Sequence, residues 1–390
     1  MCLIVCVVFL RVCLLVCFAL VNRLQQGDAA LPPVYASIPV SVIIPMFNES
    51  MVIAQTLEAL SEIAHPNMEI LVVDDGSKDG SSAIVQEYTQ RDGRIRLISQ
   101  QPNQGKSAAL NIGFEQASHE VIITIDADTL VTENTVHQLS LALSDPAIAA
   151  AACNITIKNV ENTLTRWQAL EYAVALSLER RTQHQWGTIT TVPGAASAWR
   201  KSAVLDAGGF SSDTLTEDAD LSLTLLRTGA RIVYLPHARV RTIAPVYWSS
   251  LFKQRRRWIY GNLQCAWKHK GGLVDGSPLA LKLLGLPNFW FSHVFSFALF
   301  FLTIGYLPRS THWLDPVELT GLIASIVIVD TAVCALALWI DRGDPKMLLD
   351  APLQRLAFPF FLTFTFCTVC LSRLLNRPIR WDSIRRPVLR

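Results

Sequence analysis

The sequence predicts an α/β protein with a mostly parallel sheet that is flanked by transmembrane helices. Short apolar segments rich in β-branched residues alternate with helical segments from residue 40 onward, which is typical of a parallel sheet covered on both faces. Acidic or amide side chains stand at the carboxyl ends of three of the predicted strands. Only 17% of the residues are charged, which is low for a soluble enzyme, and the apolar excess lies at the two ends of the chain.

Charge and cysteine content argue against several kinds of partner and cofactor. The net charge of +2 and the absence of a basic stripe interleaved with aromatic residues argue against nucleic acid. Seven of the nine cysteines lie in the apolar end segments, and none has the spacing of zinc ligands. No disulfide framework is implied, which fits a reducing cytoplasm.

The first apolar segment covers residues 3–21 and is interrupted only by Arg11. Its length suits one membrane span of about 20 residues. A cleaved signal peptide is the alternative, but no short apolar core with a small-residue cleavage site is clear. Arg11 is unfavourable in the middle of a membrane unless it snorkels or faces a partner helix. We therefore predict a transmembrane helix over residues 1–22 and a polar linker over residues 23–39.

The central segment contains the predicted sheet. Strands are predicted at residues 40–45, 69–75, 95–99 and 121–125, and helices at residues 49–63, 81–90 and 105–117. Open sheets of this kind bind ligands beyond the carboxyl ends of their strands. Polar residues stand at three such ends, namely Asn48 with Glu49, Asp74 with Asp75, and Asp126 with Asp128. Their convergence predicts a binding site at this edge of the sheet.

Asp126 and Asp128 form the most informative pair. In an extended chain, residues two positions apart point to the same side, so both carboxylates could reach one divalent cation. Mg²⁺ and Mn²⁺ prefer oxygen ligands and are often held by one or two carboxylates together with substrate phosphates. A pair of this kind also occurs by chance in many proteins, where it is only a polar strand end.

Two common phosphate-binding patterns are absent from the sequence. No G-x-G-x-x-G follows the first strand, and the segment around Lys106 lacks the upstream glycine of a P-loop. Phosphate would then be handled by a metal ion, by Lys106 near a helix start, and by basic residues further along the chain. For Lys106 alone, a solvated loop lysine is the ordinary alternative.

Two further segments carry candidate functional residues. Thr216, Glu217 and Asp218 open an amphipathic helix, where capping is the commoner role for such residues. Residues 254–258 read Gln-Arg-Arg-Arg-Trp in a helical, amphipathic context with tryptophans on both sides. This composition suits a helix at a membrane surface, and it also suits a diphosphate clamp with an aromatic platform for a sugar.

Five motifs occur in a fixed order between residues 40 and 261. They are IIPMFNE at 43–49, VDDGS at 73–77, DAD at 126–128, TED at 216–218 and QRRRW at 254–258. In this order and spacing they resemble the signatures of processive family 2 glycosyltransferases, the group of cellulose, chitin, hyaluronan and poly-N-acetylglucosamine synthases. The compact length, Gly194 and Ala195 before Trp199 and Arg200, and Trp381 in the tail are most similar to the bacterial poly-β-1,6-N-acetyl-D-glucosamine synthases.

The resemblance implies a GT-A-like (Rossmann-like) fold and a division of the chain into segments. A cytosolic glycosyltransferase domain would cover residues 40–242, and amphipathic interfacial helices would cover residues 243–280. Two to three transmembrane segments would follow over residues 281–376, with a basic tail over residues 377–390. The implied location is the cytoplasmic (inner) membrane.

The resemblance also implies a role for each candidate site residue. The nucleotide would be bound by Pro45, Phe47, Glu49, Asp74, Asp75, Lys106 and Asp126. Many family members have tyrosine where Phe47 stands, so a hydroxyl contact is lost here while stacking is retained. Asp126 and Asp128 would hold Mg²⁺ or Mn²⁺. Asp218 would be the general base with Glu217 as its supporting neighbour, and the diphosphate and acceptor end would be held by Gln254, Arg257 and Trp258.

The resemblance implies an inverting transfer of a sugar from a UDP-sugar to the growing end of a β-linked polysaccharide. N-acetylglucosamine is the favoured donor sugar, and export of the polysaccharide would be coupled to its synthesis. A small accessory membrane subunit is a further candidate partner. One alternative is a non-processive transferase that adds a single sugar to a lipid carrier, against which the Gln-x-x-Arg-Trp motif argues. Another is a non-catalytic transport or scaffold protein, against which the complete set of acidic motifs argues.

The carboxyl-terminal apolar stretches raise a conflict about topology. Stretches at residues 286–307, 317–340 and 358–375 are each long enough to span a membrane. If the catalytic domain is cytosolic and all three cross, the arginine-rich tail lies outside, against the positive-inside tendency. Either one stretch is re-entrant or interfacial, or the tail departs from the rule. Asp330 within the second stretch is expected to face other helices or a polymer path.

Overall fold

A computed structural model describes residues 2–26, 38–310, 316–377 and 379. Its strands are β1 Val40–Met46, β2 Met68–Asp74, β3 Ile95–Ser99, β4 Val121–Ile125, β5 Ile148–Ile157, β6 Ala196–Arg200 and β7 Arg231–Thr242. Its α-helices are α1 Cys2–Gln26, α2 Ile53–Ser61, α3 Ser81–Arg91, α4 Lys106–Gln116, α5 Glu133–Ala142, α6 Thr163–Val174, α7 Arg181–Gln185, α8 Lys201–Asp206, α9 Glu217–Arg227, α10 Trp248–Lys268, α11 Leu286–Trp290, α12 Ser296–Ser310, α13 Pro316–Asp341 and α14 Ala351–Leu374.

The seven strands form one sheet in the order β3-β2-β1-β4-β6-β5-β7. β1 is parallel to both β2 and β4, β2 is parallel to β3, and β5 is parallel to β7. Only β6 runs antiparallel to its neighbours, β4 and β5. The prediction of an α/β fold with a mostly parallel sheet is therefore confirmed, and the carboxyl ends of β1, β2 and β4 lie side by side.

The predicted strands agree with the structure to within one residue at each end, but one predicted helix does not. The helix expected from residue 49 begins only at Ile53. Asn48 adopts the left-handed conformation with φ of 55°, and the Glu49 carbonyl accepts hydrogen bonds from the backbone N–H groups of Val52 and Ile53. Glu49 therefore lies in the turn that leads into α2, at the carboxyl edge of the sheet.

Apolar side chains cover both faces of the sheet. Val42 and Ile44 of β1 belong to a buried cluster that includes side chains of α2 and α5. Ile43, which points to the other face, packs in a second cluster with α4, α9 and α10. A Cβ atom at Gly113 would lie 2.5 Å from the Ile43 side chain, so a glycine is needed for α4 to lie this close to β1. This contact brings the start of α4 to the edge where the candidate site residues stand.

Three helical segments among the described residues are long and apolar enough to span a membrane. They are Leu281–Leu302, Ala324–Asp341 and Ala351–Leu374. The first belongs to one continuous helix, in which two π-helical segments flank α11 and lead into α12. Leu281, Leu286 and Phe289 are buried in the second cluster, so the start of this helix packs against the sheet domain.

The amino-terminal helix α1 includes the whole predicted apolar span. It continues to Gln26, so residues 23–26 are helical and the linker prediction was wrong for them; residues 27–37 lie outside the described residues. The Arg11 guanidinium donates hydrogen bonds to Asn288 and Ser292 and lies 3.2 Å from Oε1 of Glu179. Arg11 therefore faces partner helices, which is one of the two situations in which an arginine is tolerated there. That α1 crosses a membrane stays a prediction.

The predicted basic tail falls almost entirely outside the described residues. Of residues 377–390, only Arg377 and Ile379 are described, so Trp381 is not among them. Asp330 lies on α13 and is partly buried, and its orientation toward other helices or a polymer path stays a prediction.

Candidate functional site

The centre of the candidate site is a lysine between two acidic motifs. Lys106 is the first residue of α4, and its Nζ lies 2.6 Å from Oδ1 of Asp126 and 3.4 Å from Oε1 of Glu217. Asp126 follows β4, and its backbone N–H donates to the carbonyl of Ala195 just before β6. Residues that are 91 positions apart in the sequence, Asp126 and Glu217, are thus held by the same ammonium group.

Asp218 joins this group through Gly194. One Asp218 carboxylate oxygen accepts a hydrogen bond from the Gly194 backbone N–H at 2.9 Å, and the other accepts from the Ala219 N–H at 2.9 Å. A Cβ atom at Gly194 would lie 3.1 Å from Nζ of Lys106 and 3.4 Å from Asp218. The absence of a side chain at Gly194 therefore allows Lys106 and Asp218 to share one small space.

The surroundings of this group make the Asp218 carboxylate more basic and keep the neighbouring Lys106 positively charged. Burial and the neighbouring Glu217 raise the pKa of Asp218, while Lys106 and the N–H groups of Gly194 and Ala219 oppose the rise. Burial acts to lower the pKa of Lys106, but Asp126 and Glu217 outweigh it and raise that pKa above its ordinary value. Lys106 therefore stays protonated at neutral pH.

Asp126 and Asp128, the predicted metal ligands, stand beyond the end of β4, and their metal role stays a prediction. The Asp126 side chain is 33% exposed, and Asp128 is partly buried at the same strand end. No group of three or more His, Cys, Asp or Glu side chains in the described part of the chain is arranged to hold a metal ion. Two carboxylates alone fit Mg²⁺ or Mn²⁺, which usually complete their coordination with water and substrate phosphate oxygens.

The predicted nucleotide residues at the end of β2, Asp74 and Asp75, are buried and support the surrounding loops. Both oxygens of Asp75 accept hydrogen bonds, from the Gln100 side chain at 2.7 Å and from the backbone N–H groups of Gln104 and Gly105 at 2.8 Å. Asp74 accepts from the Ser77 N–H at 2.9 Å. Asp75 thus fixes the loop that ends at Lys106. Direct contact of these two carboxylates with a nucleotide stays a prediction.

The predicted pocket residues after β1 lie beside the same loop. Pro45 is near the end of β1, Phe47 is 39% exposed, and the Glu49 N–H donates to Ser81. Asn48 links this segment to the next strand end, because its N–H donates to Ser77 and its side-chain oxygen accepts from the Lys78 N–H. Sequence reasoning placed Asn48 at the strand end and gave it no role, although its polar side chain at a turn was a signal.

The QRRRW segment lies in α10, and Gly261 brings this helix to the acidic motif. A Cβ atom at Gly261 would lie 2.7 Å from the Thr216 side chain and 2.8 Å from its backbone nitrogen. Gln254 and Trp258 stand seven and three residues before Gly261, so helical periodicity places them on the same side of α10 as Gly261. Arg257 is the residue next to Trp258 in this helix. The Gln254 side-chain oxygen is buried and has no hydrogen-bond partner within the described residues.

Sequence reasoning missed the role of Arg255, the second residue of that segment. Its side chain is 5% exposed, its guanidinium lies 4.3 Å from the centre of the Trp258 ring, and it donates to Glu171 of α6 at 2.6 Å. Burial raises the pKa of Glu171 and Arg255 opposes the rise, so the ion pair is complete only above that pKa. Burial also raises the pKa of the adjacent Tyr172 to about 12, and Asp128 contributes to this rise, so α6 runs close to the metal-binding candidates.

Comparison with known proteins decides the family. A model of the family described as "Glycosyltransferase like family 2" matches residues 38–261, which is more than half of the chain. The chain belongs to this family. The resemblance predicted from the five motifs is thereby confirmed, and the matched segment ends at Gly261, where α10 contacts Thr216.

Two relatives from staphylococci are 30% and 32% identical to this chain over the segments that match. The poly-beta-1,6-N-acetyl-D-glucosamine synthase of Staphylococcus epidermidis is 30% identical over 270 residues, which are 69% of this chain and 64% of that protein. The protein of the same name from Staphylococcus aureus (strain COL) is 32% identical over 223 residues, 57% of this chain and 54% of that protein. The matches thus span between half and two thirds of the length of these curated relatives.

A solved structure shows the same overall fold. The mannosyltransferase PcManGT from Pyrobaculum calidifontis, in complex with GDP-Man and Mn²⁺, matches with a TM-score of 0.64 at 18% identity, over 93% of this chain and 100% of that one. At this level of identity the likeness concerns the fold alone. It confirms the predicted GT-A-like arrangement of the mostly parallel sheet.

Proposed function

We propose that this protein is a membrane-bound inverting glycosyltransferase that transfers a sugar from a UDP-sugar to the growing end of a β-linked polysaccharide. The observation that carries the proposal is the group formed by Lys106, Asp126, Glu217 and Asp218 at the carboxyl edge of the sheet. N-acetylglucosamine is the proposed donor sugar, because the relatives from staphylococci are named as synthases of its polymer.

Asp218 has the properties of a general base for an acceptor hydroxyl. A hydroxyl group is a weak nucleophile, and a carboxylate that accepts its proton typically contributes about 10²–10⁴-fold to the rate. Burial beside Glu217 raises the pKa of Asp218 and makes it a stronger base than an ordinary aspartate. With Asp218 as the one base and no protein nucleophile, the acceptor oxygen displaces the diphosphate directly and inverts the anomeric carbon, which has oxocarbenium character in the transition state.

Positive groups around the diphosphate would stabilise the charge that develops on the leaving group. Lys106 is held beside Asp126 by an ion pair and stays protonated, so its charge is available at this position. Arg257 stands on α10, three residues after Gln254 and next to Trp258. Mg²⁺ or Mn²⁺, when bound by Asp126 and Asp128, would supply Lewis-acid stabilisation of the same diphosphate.

The face of α10 that approaches Thr216 is suited to hold the acceptor end. The Trp258 ring offers an apolar surface for a sugar, and the buried Gln254 oxygen is an acceptor for a sugar hydroxyl. A site that binds the product sugar after each transfer would favour repeated addition. The UDP-sugar pool is cytosolic, so we place the catalytic domain on the cytosolic side of the cytoplasmic membrane.

The experiment incubates purified protein in lipid with Mg²⁺ and, separately, UDP-N-acetylglucosamine, UDP-glucose and UDP-glucuronic acid. We expect a polymer from UDP-N-acetylglucosamine, identified by its monosaccharide, linkage and chain length. Transfer of a single sugar to lipid would contradict polymerisation while retaining the transferase assignment. UDP release equal to that of an Asp218→Asn variant with every donor would contradict the proposed function as a whole.

A further inference from the structure

We propose that α14 does not cross the membrane and instead lies in the bilayer surface beneath the catalytic domain. Its apolar face would rest on lipid, and its carboxyl end would remain on the side of the catalytic domain. By length and composition alone α14 is long and apolar enough to span. Its contacts with the catalytic domain lead to the different placement.

α14 starts against the glycosyltransferase domain and ends beside α10. At its start, Arg166 of α6 donates to Asp350 at 2.7 Å. At its end, Arg373 and Arg377 line a hollow of about 130 Å³ together with Tyr260 of α10. The hydrocarbon core of a bilayer is about 30 Å thick, so a helix that crosses it cannot start against the glycosyltransferase domain and end beside α10 when both of these lie on one side.

The charged helix α10 runs alongside α14 over most of its length. The rings of Trp248 and Phe361 are 5.2 Å apart, and those of Phe252 and Phe364 are 6.0 Å apart. Tyr260, further along α10, lines the hollow together with Arg373, further along α14. Later residues of α10 thus lie beside later residues of α14, so the two helices run parallel.

This parallel contact is incompatible with a membrane-spanning α14. The shared stretch of α10 includes Lys253, Arg255, Arg256 and Arg257. If α14 crossed the hydrocarbon core, it would carry this basic segment into the core with it, where charged side chains are costly. At the bilayer surface, the same basic residues would lie among headgroups.

The large apolar side chains that α14 exposes form a single stripe. The stripe consists of Leu353, Leu356, Phe360, Phe364, Leu371 and Leu374, which are between 47% and 80% exposed. The opposite side is packed on protein, since Gln354, Phe358, Thr365 and Val369 are buried. The stripe therefore shows which face of α14 would meet lipid, and the contacts with α10 decide how deep the helix lies.

The lipid bilayer is the occupant that fits this stripe. Phe360 packs edge-on against Phe300 of the helix that leaves the catalytic domain, and Phe366 stacks on Phe297 of the same helix. That helix exposes Phe301 and Leu302 next to these contacts, so the stripe continues into a surface that faces lipid. Arg373 and Arg377 at the end of the stripe suit anionic headgroups.

α13 provides the contrast expected for a true span. It exposes Ile326, Ile328 and Val329, which point to different sides of the helix. Its end contacts the catalytic domain through Asp341, which pairs with Arg181 at 2.9 Å. α12 would then cross the membrane away from the catalytic domain and α13 would cross back, so that α14 lies on the side of the catalytic domain. This places Arg373 and Arg377 on the catalytic side, which agrees with the positive-inside tendency.

The test maps the two sides of the membrane with epitope tags in full-length protein. One tag follows Gly93, which lies in an open turn of the catalytic domain, a second is inserted within residues 311–315, and a third is placed at the carboxyl terminus. Protease is added to right-side-out and inside-out vesicles. We expect the terminal tag to be cleaved together with the Gly93 tag, and the tag at 311–315 to be cleaved in the opposite preparation. Cleavage of the terminal tag together with the 311–315 tag would overturn the proposal.

A second measurement reports the depth of the helix. Spin labels are placed singly at Leu353, Phe360 and Leu371 in protein whose native cysteines are replaced by alanine, and their accessibility to oxygen and to a water-soluble nickel chelate is compared. A surface helix gives three similar, shallow depths, whereas a crossing helix gives a deep value at Phe360 and shallow values at the ends. Neither measurement uses turnover, so the topology is tested independently of the proposed function, which enters only in naming the catalytic side as cytosol.

Discussion

Lys106 and Asp126 form a 2.6 Å ion pair that joins the start of α4 to the end of β4. Glu217 lies 3.4 Å from the same ammonium group, so α9 is tied to this point as well. The pair has two consequences for the proposed reaction. It keeps a positive charge where a diphosphate would lie, and it places that charge next to the proposed base, Asp218.

Replacement of Lys106 by methionine removes this charge and keeps a side chain of similar length. We expect kcat with the UDP-sugar to fall by about 10²–10³-fold, the range typical for loss of one group that stabilises transition-state charge. Lys106→Arg is the matched control and should retain more activity. Steady-state kinetics of the two variants measure the difference, and equal, undiminished rates would contradict the role of Lys106.

The pH dependence of kcat/KM should show an acidic limb set by Asp218. The base works in its unprotonated form, and burial beside Glu217 raises its pKa, so activity is lost as the pH falls through a value above the 3.8 of an ordinary aspartate. Lys106 lowers the pKa of Asp218, so Lys106→Met should move this limb to higher pH. Lys346→Met, on an exposed turn away from the site, should leave the limb in place. A limb unmoved by Lys106→Met would exclude the coupling.

Gly261→Ala should separate α10 from the acidic motif. The added Cβ would lie 2.7 Å from the Thr216 side chain, so one of the two helices must shift. Misplacement by about 1 Å can cost about 10²-fold in rate, and we expect at least a tenfold loss of transfer. Gly276→Ala, where a Cβ meets nothing within 4 Å, is the control. Thermal unfolding of both variants in detergent would distinguish a local shift from loss of the fold.

Arg255→Met should shorten the product. The Arg255 guanidinium lies over the Trp258 ring and pairs with Glu171. Its loss would therefore remove the contact that holds the Trp258 ring, the proposed sugar platform, in position. We expect a higher KM for the acceptor and shorter chains, with hydrolysis of the UDP-sugar unchanged. Arg256→Met is the matched control, because Arg256 has no hydrogen bond or ion pair to any part of the chain that the structure describes. Identical product lengths for the two variants would show that Arg255 does not position Trp258.

The first half of the sheet could be predicted from sequence, and the second half could not. β1 and β4 are continuous apolar, β-branched segments with polar residues after them, which is the pattern of a buried parallel strand. β5 contains four consecutive alanines, a residue with higher helix than strand preference, and β7 contains Pro236. β6 has five residues and lies antiparallel between β4 and β5. These segments form strands because they pair with neighbouring strands, and no local sequence pattern predicts that pairing.

The candidate site shows the same division. The acidic motifs could be predicted because each stands at a strand or helix end, where local spacing reveals it. The contact of Gly194 with Lys106 and Asp218, and the pairing of Arg255 with Glu171, join residues 24 to 88 positions apart. No motif marks Glu171 on α6, so only the fold reveals its role.

In the proposed function, Asp218 is the base in a single cleft that also holds the nucleotide. The most direct test compares wild type with Asp218→Asn in two measurements, the initial rate of sugar transfer and the Kd for UDP in the presence of Mg²⁺. We expect a rate lower by about 10²–10⁴-fold, with the Kd unchanged within about twofold, because asparagine keeps the shape of the side chain and cannot accept the proton. An Asp218→Asn protein that transfers sugar at the wild-type rate would contradict it.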